Sequence, residues 1–290
     1  MGIFFPVHAL RGGWAILVAL FLPAAVLSET TAGVRSEEAA ATPDRIVLTG
    51  AANFRDLGGM TTIDGRRIRP RTLFRSDNLS LLTGRDWQTL AEAGIRLVVD
   101  FRSEGEVLAA PPTQAADIER MALPIGLAEV DIAVLSKRIM AGEVDAIELP
   151  DSYARIAFES AGQYRRWFAR LIDGEGRPTV FHCSSGKDRT GFGAAMLLTA
   201  LGVRREMVLR DFVASNEFLH DRIERTVERV RQRGPVDEVK LRALLGVRSQ
   251  QMEHTLRAIE VRYGSIDRYL EVEMGLDATR RERLRALYLE

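Results

Sequence analysis

The most reactive side chains of the sequence are concentrated in residues 182–191. That segment reads His182-Cys183-Ser184-Ser185-Gly186-Lys187-Asp188-Arg189-Thr190-Gly191. The apolar run before Cys183 predicts a buried strand, and the apolar run after Thr190 predicts a buried helix. A loop of this length between them can turn successive backbone N–H groups towards one centre, and the positive end of the helix adds to that field. Five residues separate Cys183 from Arg189, so the guanidinium can return to hold two oxygens of one phosphate.

The same positive surroundings favour the thiolate of Cys183, which is the nucleophilic form of a cysteine. A nucleophile and an oxyanion site in one loop are what phosphoryl transfer to sulfur requires, because that reaction depends on positioning and charge stabilisation. An inert core cysteine is the ordinary alternative, but Lys187 and Asp188 are too polar for a core. A nucleotide-binding P-loop is excluded, because position 181 is Phe rather than Gly and position 188 is Asp rather than Ser or Thr.

Strand and helix signals alternate on both sides of this loop. The sequence predicts strands at Arg45–Leu48, Thr72–Arg75, Ile95–Phe101, Met121–Ile125 and Pro178–His182. It predicts helices after a Thr83–Asp86 capping box, over 127–149, at Tyr153–Ile172 and at Thr190–Leu201. From Arg204 onwards only helices are predicted, with breaks at Gly234-Pro235, Gly246, Gly264 and Gly275. This order indicates an α/β domain, a central, mostly parallel sheet flanked by helices, with a helical C-terminal segment.

The first residues have the pattern of an export signal. Arg11 precedes an apolar run, Trp14–Leu27, that is shorter than the roughly 20 residues a membrane-spanning helix needs. We expect residues 1–28 to be a signal peptide, with an uncleaved N-terminal anchor as the alternative. Residues 29–44 then form a flexible leader and residues 45–290 the folded domain. This organisation predicts a periplasmic or secreted protein with no stable membrane insertion after signal removal.

Composition excludes several other functions. The chain has 290 residues with 40 basic and 40 acidic side chains, and this balance argues against a nucleic-acid binder. Its one cysteine excludes an internal disulfide and a four-thiolate zinc site. No two of its four histidines have the spacing of metal ligands, so we expect neither a metal nor another cofactor.

Residues 182–191 resemble the signature loop of cysteine-dependent protein tyrosine phosphatases. The Gly-Lys-Asp-Arg-Thr-Gly form is similar to the bacterial atypical subgroup, which acts on phosphotyrosine and in some members on phosphoserine, phosphothreonine and phosphoinositides. The other segments that resemble this subgroup are Asn53–Gly59, Leu73–Asp77, Asp100–Glu104, Leu244–Val247 and Tyr263–Ile266. The resemblance covers about residues 44–290 and implies the phosphatase fold for that domain.

The resemblance also implies roles for the loop residues. Cys183 would attack phosphorus and form a cysteinyl-phosphate, and Arg189 would bind the phosphate and the transition state. Thr190 would donate its hydroxyl to the sulfur, or else it only begins the helix. His182 would orient the loop through backbone contacts.

The remaining loop residues would bind the phosphate around these groups. Ser184, Ser185 and Gly186 would act through their N–H groups. Lys187 would add positive charge at the pocket mouth, which favours doubly charged or inositol-phosphate substrates; the alternative is a solvated lysine at the start of the helix.

The general acid is open among three carboxyl groups. The leaving oxygen needs a proton from a group in reach, and in the resembled subgroup an Asp within the signature loop is thought to serve, which here is Asp188. Asp100 and Asp151 are the alternatives, and Asp100 could instead form a salt bridge with Arg102. The Asn53–Gly59 segment with Asp56 would support the pocket wall, and the alternative is that Asp56 only caps a turn.

Two other functions compete with a phosphatase. A rhodanese-like sulfurtransferase also uses a cysteine loop with cationic residues, but typically with four residues between its cysteine and a terminal Arg. A non-catalytic phosphate-binding module usually lacks the cysteine or the arginine. If the chain is a phosphatase, its substrate could be a phosphorylated protein, a phosphoinositide or a small aryl phosphate.

Overall fold

The computed structural model of the protein describes residues 46–113, 117–126, 132–144 and 152–290. The predicted signal peptide, the predicted leader and the candidate acid Asp151 lie outside the described residues. No helix in the described ranges is long and apolar enough to cross a membrane.

The described strands form one mixed sheet. They are β1 (Arg55–Asp56), β2 (Leu73–Ser76), β3 (Leu97–Asp100), β4 (Glu119–Ala122) and β5 (Thr179–His182). Their order across the sheet is β1-β2-β5-β3-β4. The central strand β5 is parallel to β2 and β3, β4 is parallel to β3, and β1 is antiparallel to β2. The predicted mostly parallel sheet is confirmed.

Side chains of the central strands alternate between two apolar layers, as the two-residue period of a strand requires. Val98 and Val180 pack in one buried cluster with Trp87. On the opposite face, Val99 and Phe181 pack in a larger cluster. Because both faces are covered, these strands appear in the sequence as continuous apolar runs rather than as alternating ones.

Helices cover both faces of the sheet and make up the C-terminal segment. They are α1 (Gly84–Glu92), α2 (Glu104–Ala109), α3 (Ile132–Met140), α4 (Ser152–Glu159), α5 (Ala161–Asp173), α6 (Arg189–Leu201), α7 (Arg205–Phe218), α8 (His220–Arg231), α9 (Glu238–Leu245), α10 (Ser249–Tyr263), α11 (Ile266–Val272) and α12 (Ala278–Tyr288). Every residue of α6 except Thr199 is buried, because α4, α7, α11, α12 and the strands β2 and β5 contact it. The predicted Thr83–Asp86 capping box begins α1.

Several predicted boundaries differ from the structure. Residues 46–48 form no strand, although the interval Arg45–Leu48 was expected to do so, and β4 begins two residues earlier than predicted. The single helix predicted at Tyr153–Ile172 is two helices, because the backbone leaves the helical conformation at Ser160 (φ −113°, ψ 11°). Of the predicted helix over 127–149, the structure describes α3, after which residues 141–144 leave the helix.

Candidate active site

The carboxyl ends of the three central strands meet at one edge of the sheet. His182, the last residue of β5, pairs with Ser76 of β2 and with Asp100 of β3. The segments that follow these strands therefore leave the sheet side by side, which is where α/β sheets bind ligands. The loop 183–188 starts at this edge and leads directly into α6.

A glycine allows the loop to pass close to β2. Gly186 has φ +67°, and a Cβ at this position would lie 2.4 Å from the carbonyl oxygen of Ser76. Both the left-handed backbone and the close approach require glycine. The carbonyl oxygen of Gly186 accepts a hydrogen bond from Arg75 Nη2 at 2.6 Å, which fixes the loop against the strand.

Neighbouring groups also hold the carbonyls at the start of the loop. Asn78 N–H donates to the carbonyl of Ser184 at 3.2 Å, and Asn53 Nδ2 donates to the carbonyl of Ser185 at 3.0 Å. In contrast, the amides of residues 184–188 donate to no protein acceptor in the described parts of the chain. Successive unpaired N–H groups of this kind form an anion site.

Cys183 lies at the start of this anion site. It is a free cysteine, 1% exposed, and packs on the larger apolar cluster. The hydroxyl of Thr190 is buried and has no hydrogen-bond partner among the described residues. The hydroxyl–sulfur hydrogen bond expected of Thr190 is therefore absent from this structure.

Arg189, at the first turn of α6, is held by a carboxylate. Its Nη1 and Nη2 donate to Glu106 Oε2 and Oε1 at 2.6 and 2.7 Å. Nη1 also faces the carbonyls of Phe101 at 3.3 Å and Ile125 at 3.2 Å. Burial disfavours the charged guanidinium, but the sulfur of Cys183 and the carboxylate of Glu106 favour it by more and keep its pKa above the usual value. The Nε side of the guanidinium donates to no described group, so an Nε–Nη2 fork stays available for a phosphate.

Glu106 is a site residue that the sequence interpretation missed. It belongs to a capping box at the start of α2, in which its carboxylate accepts from Ser103 N–H at 2.8 Å. The same carboxylate accepts from the Ser184 hydroxyl at 2.5 Å. Burial opposes its charge, but the hydrogen bonds and the charge of Arg189 lower the pKa of Glu106 to about 2. The sequence signal was the Ser-x-x-Glu spacing directly after β3.

Asp188 lies at the end of the loop with its side chain 38% exposed. Its Oδ1 accepts a hydrogen bond from the hydroxyl of Tyr153 at 2.5 Å, and its Oδ2 lies 4.0 Å from Lys187 Nζ. Of the two described candidate acids, Asp188 and Asp100, only Asp188 is open to solvent beside the loop. The sequence interpretation treated Tyr153 only as the start of a helix.

Asp100 is buried and fully engaged, which argues against a role as general acid. It accepts hydrogen bonds from Arg102 Nη2 at 2.8 Å and Arg120 Nη2 at 2.6 Å, and His182 Nε2 lies 3.7 Å away. Burial alone would raise its pKa, but His182 and Arg102 lower it well below the usual value. Asp100 is thus a salt-bridge partner of Arg102, the alternative that the sequence left open.

His182 is buried beside Cys183. Its Nδ1 lies 3.3 Å from the carbonyl oxygen of Cys183. Burial lowers the pKa of His182 to about 4, although the charge of Asp100 opposes this shift. The ring is therefore neutral at pH 7, and its contact with the loop is to the backbone carbonyl of Cys183.

The expectation that Lys187 adds charge at the pocket mouth is wrong for this structure. Lys187 is 8% exposed, and its Nζ donates to the carbonyls of Leu244 at 2.8 Å and Gly246 at 2.9 Å. These carbonyls end α9, where a cation also interacts favourably with the helix dipole. Lys187 therefore ties the loop to the C-terminal helical segment.

Asp56 caps a turn, which is the alternative that the sequence left open, and does not contact the loop 183–188. Its carboxylate accepts from the N–H groups of Gly58 at 2.8 Å and Arg71 at 2.6 Å, so it stabilises a turn after β1. Within the Asn53–Gly59 segment it is Asn53 that contacts the loop 183–188, through the carbonyl of Ser185.

A buried ion cluster supports the loop from below. Arg55 Nε donates to Asp211 Oδ1 at 2.8 Å, and Arg75 Nη1 donates to the other carboxylate oxygen of Asp211. Arg55 also donates to Asn53 Oδ1 at 2.5 Å. Asn53 and Arg75, which bind the carbonyls of Ser185 and Gly186, thus belong to one hydrogen-bond network. The described residues contain no group of three or more His, Cys, Asp or Glu side chains that could hold a metal ion.

Comparison with known proteins identifies the family. The model of the tyrosine phosphatase family matches residues 46–290. A Cupriavidus necator protein named for tyrosine-protein phosphatase activity is 35% identical over 247 residues, covering 82% of this chain and 86% of that protein. The triple specificity protein phosphatase PtpB of Mycobacterium tuberculosis is 30% identical over 275 residues, covering 83% and 98%. A tyrosine-protein phosphatase of Nostoc commune is 28% identical over 205 residues, covering 68% and 67%.

These findings confirm the phosphatase prediction over the sulfurtransferase and non-catalytic alternatives. They also confirm the resemblance from which the fold was expected. The chain belongs to the tyrosine phosphatase family and is a hydrolase of phosphoric monoesters.

Proposed function

We propose that this chain is an exported, metal-independent phosphatase that hydrolyses phosphotyrosine through a cysteinyl-phosphate on Cys183. The observation that carries the proposal is the juxtaposition around the loop. Cys183 starts a loop in which the amides of residues 184–188 have no described protein acceptor, and Glu106 holds Arg189 at its far end. A phosphate bound there meets the sulfur, the amides and the guanidinium together.

The first half-reaction transfers the phosphoryl group to sulfur. The thiolate of Cys183 forms a bond to phosphorus as the bond from phosphorus to the leaving oxygen breaks. Asp188 gives its proton to that oxygen, so the alcohol leaves neutral and Asp188 becomes a carboxylate. The unpaired amides and the free Nε–Nη2 side of Arg189 stabilise the equatorial oxygens, where charge is spread in the transition state.

The second half-reaction returns the enzyme to its starting state. Water attacks phosphorus, and the bond from phosphorus to sulfur breaks. Asp188 takes one proton of the water, and the other stays on the phosphate product. Cys183 is again a thiolate and Asp188 is again protonated, so no metal or further reactant is needed.

The proposed substrates are phosphotyrosine first, and phosphoserine, phosphothreonine and phosphoinositide monoesters in addition. The name of the M. tuberculosis relative, a triple specificity phosphatase, supports this breadth. The test is a panel of phosphopeptides and phosphoinositides with the wild-type protein and Cys183→Ser. Phosphotyrosine peptides should be hydrolysed fastest, and Cys183→Ser should release no phosphate from any substrate while still binding it. Equal turnover by Cys183→Ser would refute the mechanism.

The proposal of export depends on the N-terminal sequence alone. A charged start and a short apolar run support a signal peptide over residues 1–28 and a periplasmic or secreted enzyme. N-terminal sequencing of the protein from fractionated cells tests it. We expect a mature chain that begins near Glu29 in the exported fraction, and an intact Met1 in the cytosolic fraction would contradict export.

A further inference from the structure

A buried tyrosine hydroxyl contacts the proposed acid directly. Tyr153 lies in the first turn of α4 and is 4% exposed. Its ring packs edge-on against Phe212, with 5.6 Å between the ring centroids. Its hydroxyl donates to Asp188 Oδ1 at 2.5 Å. The packing fixes the ring, so the position of the hydroxyl is set by the core rather than by solvent.

The two oxygens of Asp188 have different surroundings. Oδ1 is held by Tyr153, whereas Oδ2 lies 4.0 Å from Lys187 Nζ, beyond hydrogen-bond distance. Lys187 itself is committed to the carbonyls of Leu244 and Gly246. One oxygen of the carboxyl group is therefore fixed and the other is open beside the loop.

We propose that Tyr153 is the positioning residue of the general acid, holding Oδ1 of Asp188 so that Oδ2 carries the proton to the leaving oxygen. This inference rests on the proposed acid role of Asp188. A protonated carboxyl group has one O–H donor and one carbonyl oxygen. Tyr153 takes the carbonyl oxygen, and this contact leaves the O–H on the open side.

The hydrogen bond gains strength during the reaction. As the proton leaves Oδ2, negative charge spreads over both oxygens of Asp188, and the bond from Tyr153 becomes charge-assisted. An interaction that is stronger in the transition state than in the ground state accelerates the step. Burial, together with the nearby Asp188 and Cys183, raises the pKa of Tyr153 well above its usual value, so the hydroxyl keeps its own proton. Arg75 acts on Tyr153 in the opposite direction.

The test is the leaving-group dependence of Tyr153→Phe. This change removes the hydroxyl and keeps the packed ring. On phenyl phosphate, whose leaving oxygen is basic, we expect kcat/KM to fall roughly tenfold or more, as for the loss of a charge-assisted hydrogen bond. On an activated aryl phosphate that leaves almost unaided, the fall should stay within about twofold because no proton is required.

The matched control is Tyr269→Phe. The Tyr269 hydroxyl is also buried and also contacts α4, because it donates to the carbonyl of Ala157 at 2.5 Å. This variant should keep the wild-type dependence on leaving group. A uniform fall of Tyr153→Phe across all substrates, or no fall at all, would overturn the positioning role and leave a merely structural contact.

A second variant separates this inference from the proposed function. In an Asp188→Asn background no proton can be transferred, so adding Tyr153→Phe should change phenyl phosphate turnover by no more than about twofold. An additive loss in the double variant would overturn the inference while the acid role stands. If Asp188→Asn alone slows all substrates equally, the acid assignment itself fails, and with it the basis of this inference.

Discussion

Replacing Glu106 by Gln tests whether Arg189 is held ready for phosphate before substrate binds. The carboxylate accepts four hydrogen bonds, from Arg189 Nη1 and Nη2, the Ser184 hydroxyl and Ser103 N–H. Gln keeps the size of the side chain but replaces one acceptor by an NH₂ group. In either orientation, that NH₂ group faces an N–H of the guanidinium.

The expected loss follows from these contacts. At least one charge-assisted hydrogen bond of Arg189 disappears, and such bonds contribute about 1.5–3 kcal/mol. If the Arg189 guanidinium must then be ordered as the transition state forms, kcat/KM falls roughly 10- to 100-fold. Removing a negative charge also reduces its repulsion of a phosphate dianion, which opposes this loss. Because the guanidinium already neutralises the carboxylate in a bidentate pair at 2.6 and 2.7 Å, we expect the loss of positioning to dominate.

The assay measures kcat/KM on an aryl phosphate and inhibition by vanadate for three proteins. Glu106→Gln should lose activity and bind vanadate more weakly by a similar factor. Glu104→Gln is the matched control, since Glu104 lies in the same first turn of α2 but is exposed. It should behave as wild type. Activity of Glu106→Gln within twofold of this control would refute the claim that Glu106 positions Arg189.

Three further predictions concern the loop and its supports. Lys187→Met should lower the free energy of unfolding by about 1–3 kcal/mol, because the partly buried carbonyls of Leu244 and Gly246 lose a charged donor. It should slow the hydrolysis of aryl and inositol phosphates by the same factor. A loss of activity confined to inositol phosphates in paired assays would place the ammonium on substrate instead. Burial lowers the pKa of His182 from 6.5 to about 4, so on acidification the unfolded chain binds a proton at this residue before the folded chain does. The free energy of unfolding should therefore fall by up to about 3 kcal/mol as the pH decreases from 6.5 to 4. In urea unfolding, His182→Gln should show a smaller fall over this pH range, and an unchanged fall would contradict the lowered pKa of His182. Turnover should persist in excess chelator and be blocked by vanadate, whereas loss on chelation would contradict the metal-free mechanism.

The sequence was sufficient to predict the strand–loop–helix unit because its evidence is local. The apolar run before Cys183, the glycine at 186 and the apolar run after Thr190 are adjacent in the chain, and each has a direct structural consequence. The parallel sheet could be predicted because strand signals and helix signals alternate along the chain, and this pattern is also read locally. The ends of helices and strands were predicted less accurately, as the break between α4 and α5 at Ser160 shows.

The partners of the loop could not be predicted because they are distant in sequence. Glu106 precedes Arg189 by 83 positions, and Tyr153 precedes Asp188 by 35. Lys187 was placed at the pocket mouth by the resemblance, and nothing in the loop sequence indicates that it binds carbonyls at the end of α9. Such assignments depend on how helices pack, and the local pattern of the chain does not specify that packing.

The most direct test of the central claim is to trap the phosphorylated enzyme. The wild-type protein and Cys183→Ser are mixed with an activated aryl phosphate, quenched in acid within milliseconds, digested and analysed by mass spectrometry. We expect one phosphoryl group on the wild-type peptide that contains Cys183, formed together with a burst of the phenol product of one equivalent per site. Cys183→Ser should show neither signal. A phosphoryl group on another residue, or full turnover by Cys183→Ser, would contradict the central claim.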